Sequence, residues 1–228
     1  MPRLRGILWD NDGVLVDTEN LFYQANQRLF AEHDVDLTHQ HFFDWFLLEN
    51  LGAWHILQAR GYSDHTIAEL RDQRNHYYAD LLQSTSELLI PAVKPAIESV
   101  SDHMRMGIVT SSRRDHFDQI HTRLREQGHD LLPHFDFVVT ESDYQESKPA
   151  PDPYLLGLQR INLDPAECIV IEDSPRGLRA ALAAGLRCIV IRNPFCEEYD
   201  FPGAFAVLNS HDELSDYLSK LIDGDAAY

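Results

Sequence analysis

Short apolar runs, each closed by a polar cluster, recur along the chain. They are Gly6-Ile7-Leu8-Trp9, Gly107-Ile108-Val109, Phe137-Val138-Val139, Ile169-Val170-Ile171 and Cys188-Ile189-Val190-Ile191, with a weaker one at Phe205-Ala206-Val207. Unbroken apolar runs of this length suit strands buried on both faces of a parallel sheet. From Met106 onward they alternate with stretches of helical spacing at 115–127, 153–161 and 175–184. Strand and helix in alternation predict an α/β protein with a doubly wound parallel sheet.

The rhythm breaks once. About ninety residues separate the first apolar run from the second. Within that gap, 17–86 carries apolar residues at three- and four-residue spacing, as in Leu21, Phe22, Ala25, Leu29 and Phe30. Leu81, Leu82 and Leu88 close the segment, and Pro91 and Pro95 mark the return to the core. The pattern predicts a Rossmann-like core from 1–16 and 87–228, with a small α-helical second domain, 17–86, inserted after the first strand. Trp45, Phe46 and Trp54 are expected in the core of that insert. Asp17 stands where a cap for its first helix is needed.

Composition narrows the class. The 228 residues are 44% hydrophobic and 25% charged, ordinary for a globular chain long enough to bury a core without staples. The formal net charge is −18. Such a surface repels nucleic acid and anionic membranes, so neither is expected as a partner. There are three cysteines, Cys168, Cys188 and Cys196, an odd and sparse count that fits a reducing compartment. No long apolar run follows the first arginines, and the longest apolar-plus-glycine run, 180–186, is far shorter than the roughly 18 residues of a membrane span. A cytoplasmic monomer is the expectation, or at most a weak homo-oligomer.

The polar clusters carry the chemistry. The first run ends in Asp10-Asn11-Asp12-Gly13, the second in Thr110-Ser111-Ser112, and the fourth in Glu172-Asp173-Ser174. The third leads through Thr140-Glu141 to Lys148-Pro149. In open α/β sheets ligands bind beyond the carboxyl ends of the strands, so the four clusters share one edge. Two carboxylates as close as Asp10 and Asp12 resist ionising together unless a cation intervenes. Oxygen ligands suit Mg²⁺, which takes one or two carboxylates with phosphate oxygens and water. Asp173 and Glu172 can complete that site from a neighbouring strand. An aspartate can also act as a nucleophile and form an aspartyl-phosphate. Lys148 supplies a fixed positive charge, Thr110 a hydroxyl, and the Ser111 region backbone N–H groups for a phosphate. Together these parts meet the needs of phosphoryl transfer.

The motifs resemble those of a known family. Asp10-Asn11-Asp12-Gly13-Val14-Leu15-Val16-Asp17 resembles the first motif of the haloacid dehalogenase superfamily, and Thr110 in Ile108-Val109-Thr110-Ser111-Ser112 the second. Lys148 in Ser147-Lys148-Pro149-Ala150-Pro151-Asp152-Pro153 resembles the third, and Ile171-Glu172-Asp173-Ser174-Pro175-Arg176-Gly177 the fourth. The insert after the first motif is similar to the cap of the β-phosphoglucomutase and phosphoglycolate phosphatase branch. The resemblance implies Asp10 as nucleophile and Asp12 as general acid and base. Thr110 and Lys148 would hold the phosphoryl group. Asp10, the Asp12 backbone carbonyl, Asp173 and Glu172 would surround Mg²⁺.

Branches of the superfamily separate on chemistry. Dehalogenases lack the second aspartate, which is present here as Asp12. Phosphonatases need a cap lysine, and 1–93 contains none. Mutases of the branch carry a histidine where this chain has Phe22, and basic residues where it has Leu47-Leu48-Glu49-Asn50-Leu51-Gly52-Ala53-Trp54. Arg74 aligns with a basic cap residue and can hold an anion. The expectation is a Mg²⁺-dependent phosphatase acting on a small phosphorylated metabolite such as a phosphosugar. A sugar-phosphate mutase stands second. A non-catalytic Mg²⁺- or phosphate-binding regulator stands third, disfavoured by the intact Asp10, Asp12, Lys148 and Asp173 set.

Overall fold

Six apolar runs are strands in the computed structural model, which describes residues 3–223. They are β1 (Gly6–Trp9), β2 (Arg105–Val109), β3 (Phe137–Val139), β4 (Cys168–Glu172), β5 (Arg187–Ile191) and β6 (Ala206–Leu208). One sheet holds them in the order β3-β2-β1-β4-β5-β6, every pairing parallel. β1 and β4 are buried along their whole length, which is why their sequences are apolar without alternation. Gly6 pairs with Arg105 on one side and Cys168 on the other, so β1, β2 and β4 end level with one another. The chain winds from β1 outward to β3, then crosses back to β4. The order therefore reverses beside β1, where open sheets of this kind bind ligands.

Residues 18–88 form a compact unit of their own, and those before and after it form the other. The helical unit contains α1 (Glu19–Ala31), α2 (His39–Phe42), a π-helical turn at Phe43–Leu48, α3 (Trp54–Ala59) and α4 (Asp64–Ser84). α1 buries Tyr23, Ala25, Leu29 and Phe30, and packs on α4, which buries Ile67, Leu70, Tyr78 and Leu82. Phe46 and Trp54 are buried and Trp45 half-buried. Asp17 is exposed and does not cap α1. Thr18 occupies the N-cap without a side-chain hydrogen bond, so α1 relies on packing instead.

The sheet unit adds α5 (Val93–Ser101), α6 (Arg114–Glu126), α7 (Asp152–Ile161), α8 (Pro175–Ala183) and α9 (Leu214–Asp223). α5 packs on α9, while α7 lies on β1, β2 and β3 and touches α8. Gly157 lets α7 approach closely: a Cβ there would sit 3.0 Å from Val109 Cγ2 and 3.2 Å from Leu8 Cδ1. α8 starts sharply because Ser174 Oγ accepts the Gly177 N–H at 3.1 Å and Pro175 opens its first turn.

Candidate active site

β1 delivers Asp10 to the sheet's carboxyl edge, where its N–H donates to Ile171 O at 2.9 Å. The chain then turns tightly. The Asn11 carbonyl accepts N–H bonds from Val14, Leu15 and Val16 at 3.3, 2.8 and 3.1 Å. Gly13 takes φ +75°, and a Cβ there would lie 1.9 Å from Asp173 Oδ2, so only glycine brings this turn against that carboxylate. Behind the turn, the His211 ring nitrogen Nε2 meets Gly13 O at 3.0 Å. Thr110 directly follows β2, and β4 ends at Glu172 with Asp173 next, beside Asp10. The loop after β3 carries Lys148 back to the same place.

Lys148 is the centre of the cluster, only 2% exposed. Its Nζ donates to Asp10 Oδ1 at 2.8 Å, Glu172 Oε1 at 2.7 Å and Val109 O at 2.9 Å. All three ammonium protons are thereby used. The ammonium also lies 4.7 Å from the centre of the Tyr154 ring. Burial works against its charge, but Asp10 and Glu172 outweigh that and hold its pKa above the ordinary lysine value.

The two carboxylates facing Lys148 are not equivalent. Glu172 Oε1 also accepts the Tyr154 hydroxyl at 2.7 Å, and Oε2 accepts from Asp173 N at 3.1 Å, Ser174 N at 3.4 Å and Ser174 Oγ at 3.1 Å. Burial raises the Glu172 pKa, and Lys148 with these donors more than reverses it, so the group stays ionised. Asp10 lacks such a set. Burial pushes its pKa up to about 7; Lys148 opposes the rise, and Glu172 and Asp12 add to it.

Asp12 is half-buried. Its Oδ2 accepts from Ser112 Oγ at 2.6 Å, Thr110 Oγ1 at 3.1 Å and Asn11 Nδ2 at 3.3 Å. Ser112 N in turn donates to Thr110 Oγ1 at 3.0 Å. Ser111 lies beside the cluster and accepts from Ser147 Oγ at 3.3 Å.

The residues fit a divalent cation. Asp10, Glu172 and Asp173 each offer a carboxylate oxygen, and these oxygens lie within 4.8 Å of one another. All three side chains are buried, and the Lys148 ammonium pairs with Asp10 and Glu172. Buried carboxylates gathered this closely resist ionising together unless a cation lies among them. The donors are all hard oxygens, as Mg²⁺ prefers. Asn193 Nδ2 steadies Asp173 by donating to Oδ2 at 2.9 Å.

A sequence profile of the haloacid dehalogenase-like hydrolases matches residues 7–191. The chain belongs to that family. Protein CbbY of Rhodobacter capsulatus is 30% identical over 217 residues, covering 88% of this chain and 91% of that protein. Fructose-1-phosphate phosphatase YqaB of Escherichia coli is 28% identical over 198 residues, covering 83% and 97%. A solved structure of a CbbY variant from Rhodobacter sphaeroides in complex with xylulose-(1,5)bisphosphate superposes with a TM-score of 0.78 at 25% identity, covering 92% of this chain and 96% of that one. Relatives of this haloacid dehalogenase-like hydrolase thus include named phosphatases, consistent with a phosphoric monoester hydrolase. Among the described residues no helix is long and apolar enough to cross a membrane.

In this hydrolase Asp10, Asp12, Thr110, Lys148, Glu172 and Asp173 meet at one edge, with Ser111 adjoining them. Arg74 belongs to the helical unit. Its Nη1 donates to Asn26 Oδ1 at 3.2 Å and its Nε to Asn75 Oδ1 at 3.0 Å, while the guanidinium lies 4.5 Å from the centre of the Phe22 ring. Sequence reasoning gave no role to Asn11, Tyr154, Asn193 or His121, all four buried. His121 Nε2 meets Asn11 Oδ1 at 2.8 Å. The available signal was helical spacing: His121 shares the apolar stripe of Phe117, Ile120 and Leu124 on α6.

Proposed function

We propose that the chain is a Mg²⁺-dependent phosphatase that hydrolyses a small organic phosphate, of the phosphosugar class, through an aspartyl-phosphate on Asp10. The observation that carries this reading is the fully engaged Lys148, pinned between Asp10 and Glu172 beside Asp12 and Thr110. It is a preorganised charge clamp next to a carboxylate whose oxygens are not saturated with donors. The family supports hydrolysis, and relatives named for sugar phosphates support the substrate class.

In the first step an Asp10 oxygen attacks phosphorus and the ester P–O bond breaks. Asp12 gives its proton to the departing oxygen, which leaves as an alcohol. Lys148 Nζ and Thr110 Oγ1 face the phosphoryl oxygens, with backbone N–H groups around Ser111. In the second step the Asp12 carboxylate takes a proton from water, and that water oxygen attacks phosphorus. The acyl–phosphate bond breaks, Asp10 is regenerated and inorganic phosphate leaves. Glu172 keeps Lys148 in place throughout. Bound Mg²⁺, held by Asp10, Asp173 and the Asp12 backbone carbonyl, with Glu172 beside them, supplies positive charge that favours ionised Asp10 and offsets phosphate charge.

The helical segment 17–86 is assigned the role of a cap that sets substrate choice, with Arg74 as its anion-holding residue. The protein works as a cytoplasmic monomer in this reading, and its three buried cysteines, none in a disulfide, agree with a reducing compartment. The test is phosphate release from a panel of sugar phosphates and 4-nitrophenyl phosphate, with and without Mg²⁺, in the wild type and in Asp10→Asn. Metal-dependent release lost in the variant is expected. Isomerised sugar phosphate without free phosphate would replace this reading with a mutase. Release that survives Asp10→Asn would remove the nucleophile assignment.

A further inference from the structure

We propose that His121 is a positioning residue for the proton transfers: through the Asn11 side-chain amide it holds the Asp12 carboxyl in line with the leaving-group oxygen. The inference rests on the phosphatase reading and adds a residue outside the four motifs.

The bond directions follow from elimination. Asp12 Oδ2 already accepts from the Thr110 and Ser112 hydroxyls, so a proton on this acid belongs to Oδ1, and the Asn11 atom 3.3 Å from Oδ2 is the amide nitrogen. The other end of that amide, Oδ1, then faces His121 Nε2 at 2.8 Å, and an oxygen there only accepts. His121 must therefore carry its proton on Nε2. Asn11 is wholly buried, between Asp10 and Asp12 in sequence, and its main-chain carbonyl is fixed by three N–H bonds. The amide's rotation about its own side-chain bonds is the remaining freedom, and His121 removes it. His121 is itself held: it is 3% exposed, and its ring lies 4.2 Å from the Phe117 ring, centre to centre. An apolar residue would fill this position on the α6 stripe equally well. What the imidazole adds is a rigid donor aimed at one atom of the catalytic turn.

Without that donor Asn11 Oδ1 is a buried, unsatisfied acceptor, and the amide turns away. Asp12 then keeps Ser112 and Thr110, hydroxyls on a different strand end, and loses the donor that ties it to its own turn. Asp12 shifts, and the step that suffers is proton delivery to the leaving group.

The experiment compares kcat/KM for two esters: fructose 1-phosphate, or whichever sugar phosphate of the panel turns over fastest, and 4-nitrophenyl phosphate. The alkoxide of the first needs a proton as it leaves, while nitrophenolate departs as a stable anion. His121→Leu and His121→Asn remove the donor, since an Asn amide reaches only as far as Nδ1. His121→Gln restores it at the Nε2 position. We expect the first two to lower kcat/KM about 10- to 100-fold on the sugar phosphate and less than about 3-fold on the nitrophenyl ester. His121→Gln should keep the ratio of the two esters within about 3-fold of the wild type. The ratio is independent of how much protein is folded, so partial unfolding cannot imitate the effect. If His121→Leu does not fold, the Gln and Asn variants decide alone. Equal losses on both esters, or Gln behaving as Asn, overturn the inference. A wild type that releases no phosphate overturns the phosphatase reading and this inference together.

Discussion

Gly177→Ala should destabilise the protein although alanine is the better helix former. Gly177 sits in the first turn of α8, directly on the Glu172 carboxyl. A Cβ added there would lie 1.9 Å from Glu172 Cδ and 2.0 Å from each carboxylate oxygen. Ordinary contact begins at 3.4 Å, so helix or side chain must give by about 1.5 Å, the difference between those distances. The backbone makes no objection, because Gly177 does not take a positive φ. On propensity alone the change would stabilise by about 1 kcal/mol. Neither partner can yield cheaply. Glu172 is tied to Lys148, Tyr154, Asp173 and Ser174, and Ser174, which begins α8, is bonded to Glu172 through both its N–H and its Oγ. Moving the helix or the carboxylate breaks the same bonds. Loss of a buried ion-pair partner costs about 3–5 kcal/mol, so with propensity subtracted the net loss is roughly 2–4 kcal/mol. For a chain of this size that lowers Tm by roughly 5–15 °C. Lys148 loses its second anchor as well, and kcat on 4-nitrophenyl phosphate should fall about 100-fold. The assay is thermal unfolding with steady-state kinetics, alongside Gly157→Ala. That Cβ meets only side-chain tips, at 3.0 Å or more, and the cost should stay within about 1 kcal/mol. A Gly177→Ala protein with unchanged or raised Tm and full activity would refute the idea that α8 and Glu172 are locked together.

Asp10→Asn should lower phosphate release by about 1000-fold or more while leaving Tm nearly unchanged, because an amide oxygen still accepts from Lys148 and Glu172 still balances its charge; a poorly folded variant would contradict the second half. Asp173→Ala should raise the Mg²⁺ concentration for half-maximal activity at least about tenfold, and an unchanged metal titration would strike it from the ligands. His121 should steepen acid denaturation. Burial lowers its pKa from 6.5 to about 4, so below pH 6.5 the unfolded chain binds a proton that the folded one refuses. Stability therefore falls as pH drops from 6.5 towards 4, by about 2 kcal/mol at pH 5. Urea midpoints at pH 7 and 5 should converge in His121→Gln, and equal slopes in variant and wild type would count against a buried neutral imidazole.

The sheet was legible because burial on both faces writes itself as an unbroken apolar run. Gly6-Ile7-Leu8-Trp9 is a strand over the same residues that the pattern marks and is buried throughout; Phe137-Val138-Val139 is one too, although at the sheet edge Phe137 and Val138 are half-buried. The helical insert was legible only as a class. Its stripe suggested Leu21 and Phe22 as inward-facing, yet α1 buries Tyr23 and leaves those two half-buried. The π-helical turn at Phe43–Leu48 carries no local signal, since tertiary packing of Phe46 and Leu47 decides it. The four polar clusters were legible for a different reason: each follows a strand, and parallel strands in register bring their ends to one edge. His121 and Tyr154 were not. Each lies on a helix whose periodicity accounts for it as core, and only the fold reveals that a polar atom of its side chain reaches Asn11 or Glu172.

The same contrast explains how residues of one chemical type come to divide the work. In sequence Asp10, Asp12, Glu172 and Asp173 are four acids near strand ends, and nothing ranks them. In the fold, donors rank them. Glu172 collects five and is held as an ionised support for Lys148. Asp12 Oδ2 accepts from two hydroxyls and an amide. Among the described residues Lys148 alone donates to the Asp10 carboxylate, and its pKa is the one pushed up to about 7. In the proposed reaction the carboxylate with spare lone pairs beside a locked ammonium is the one that forms a bond to phosphorus. A saturated neighbour is not. Environments that push titratable groups apart assign their roles, and in the proposed mechanism that assignment rests on Tyr154, Ser174, Asn11 and His121 rather than on the acids themselves.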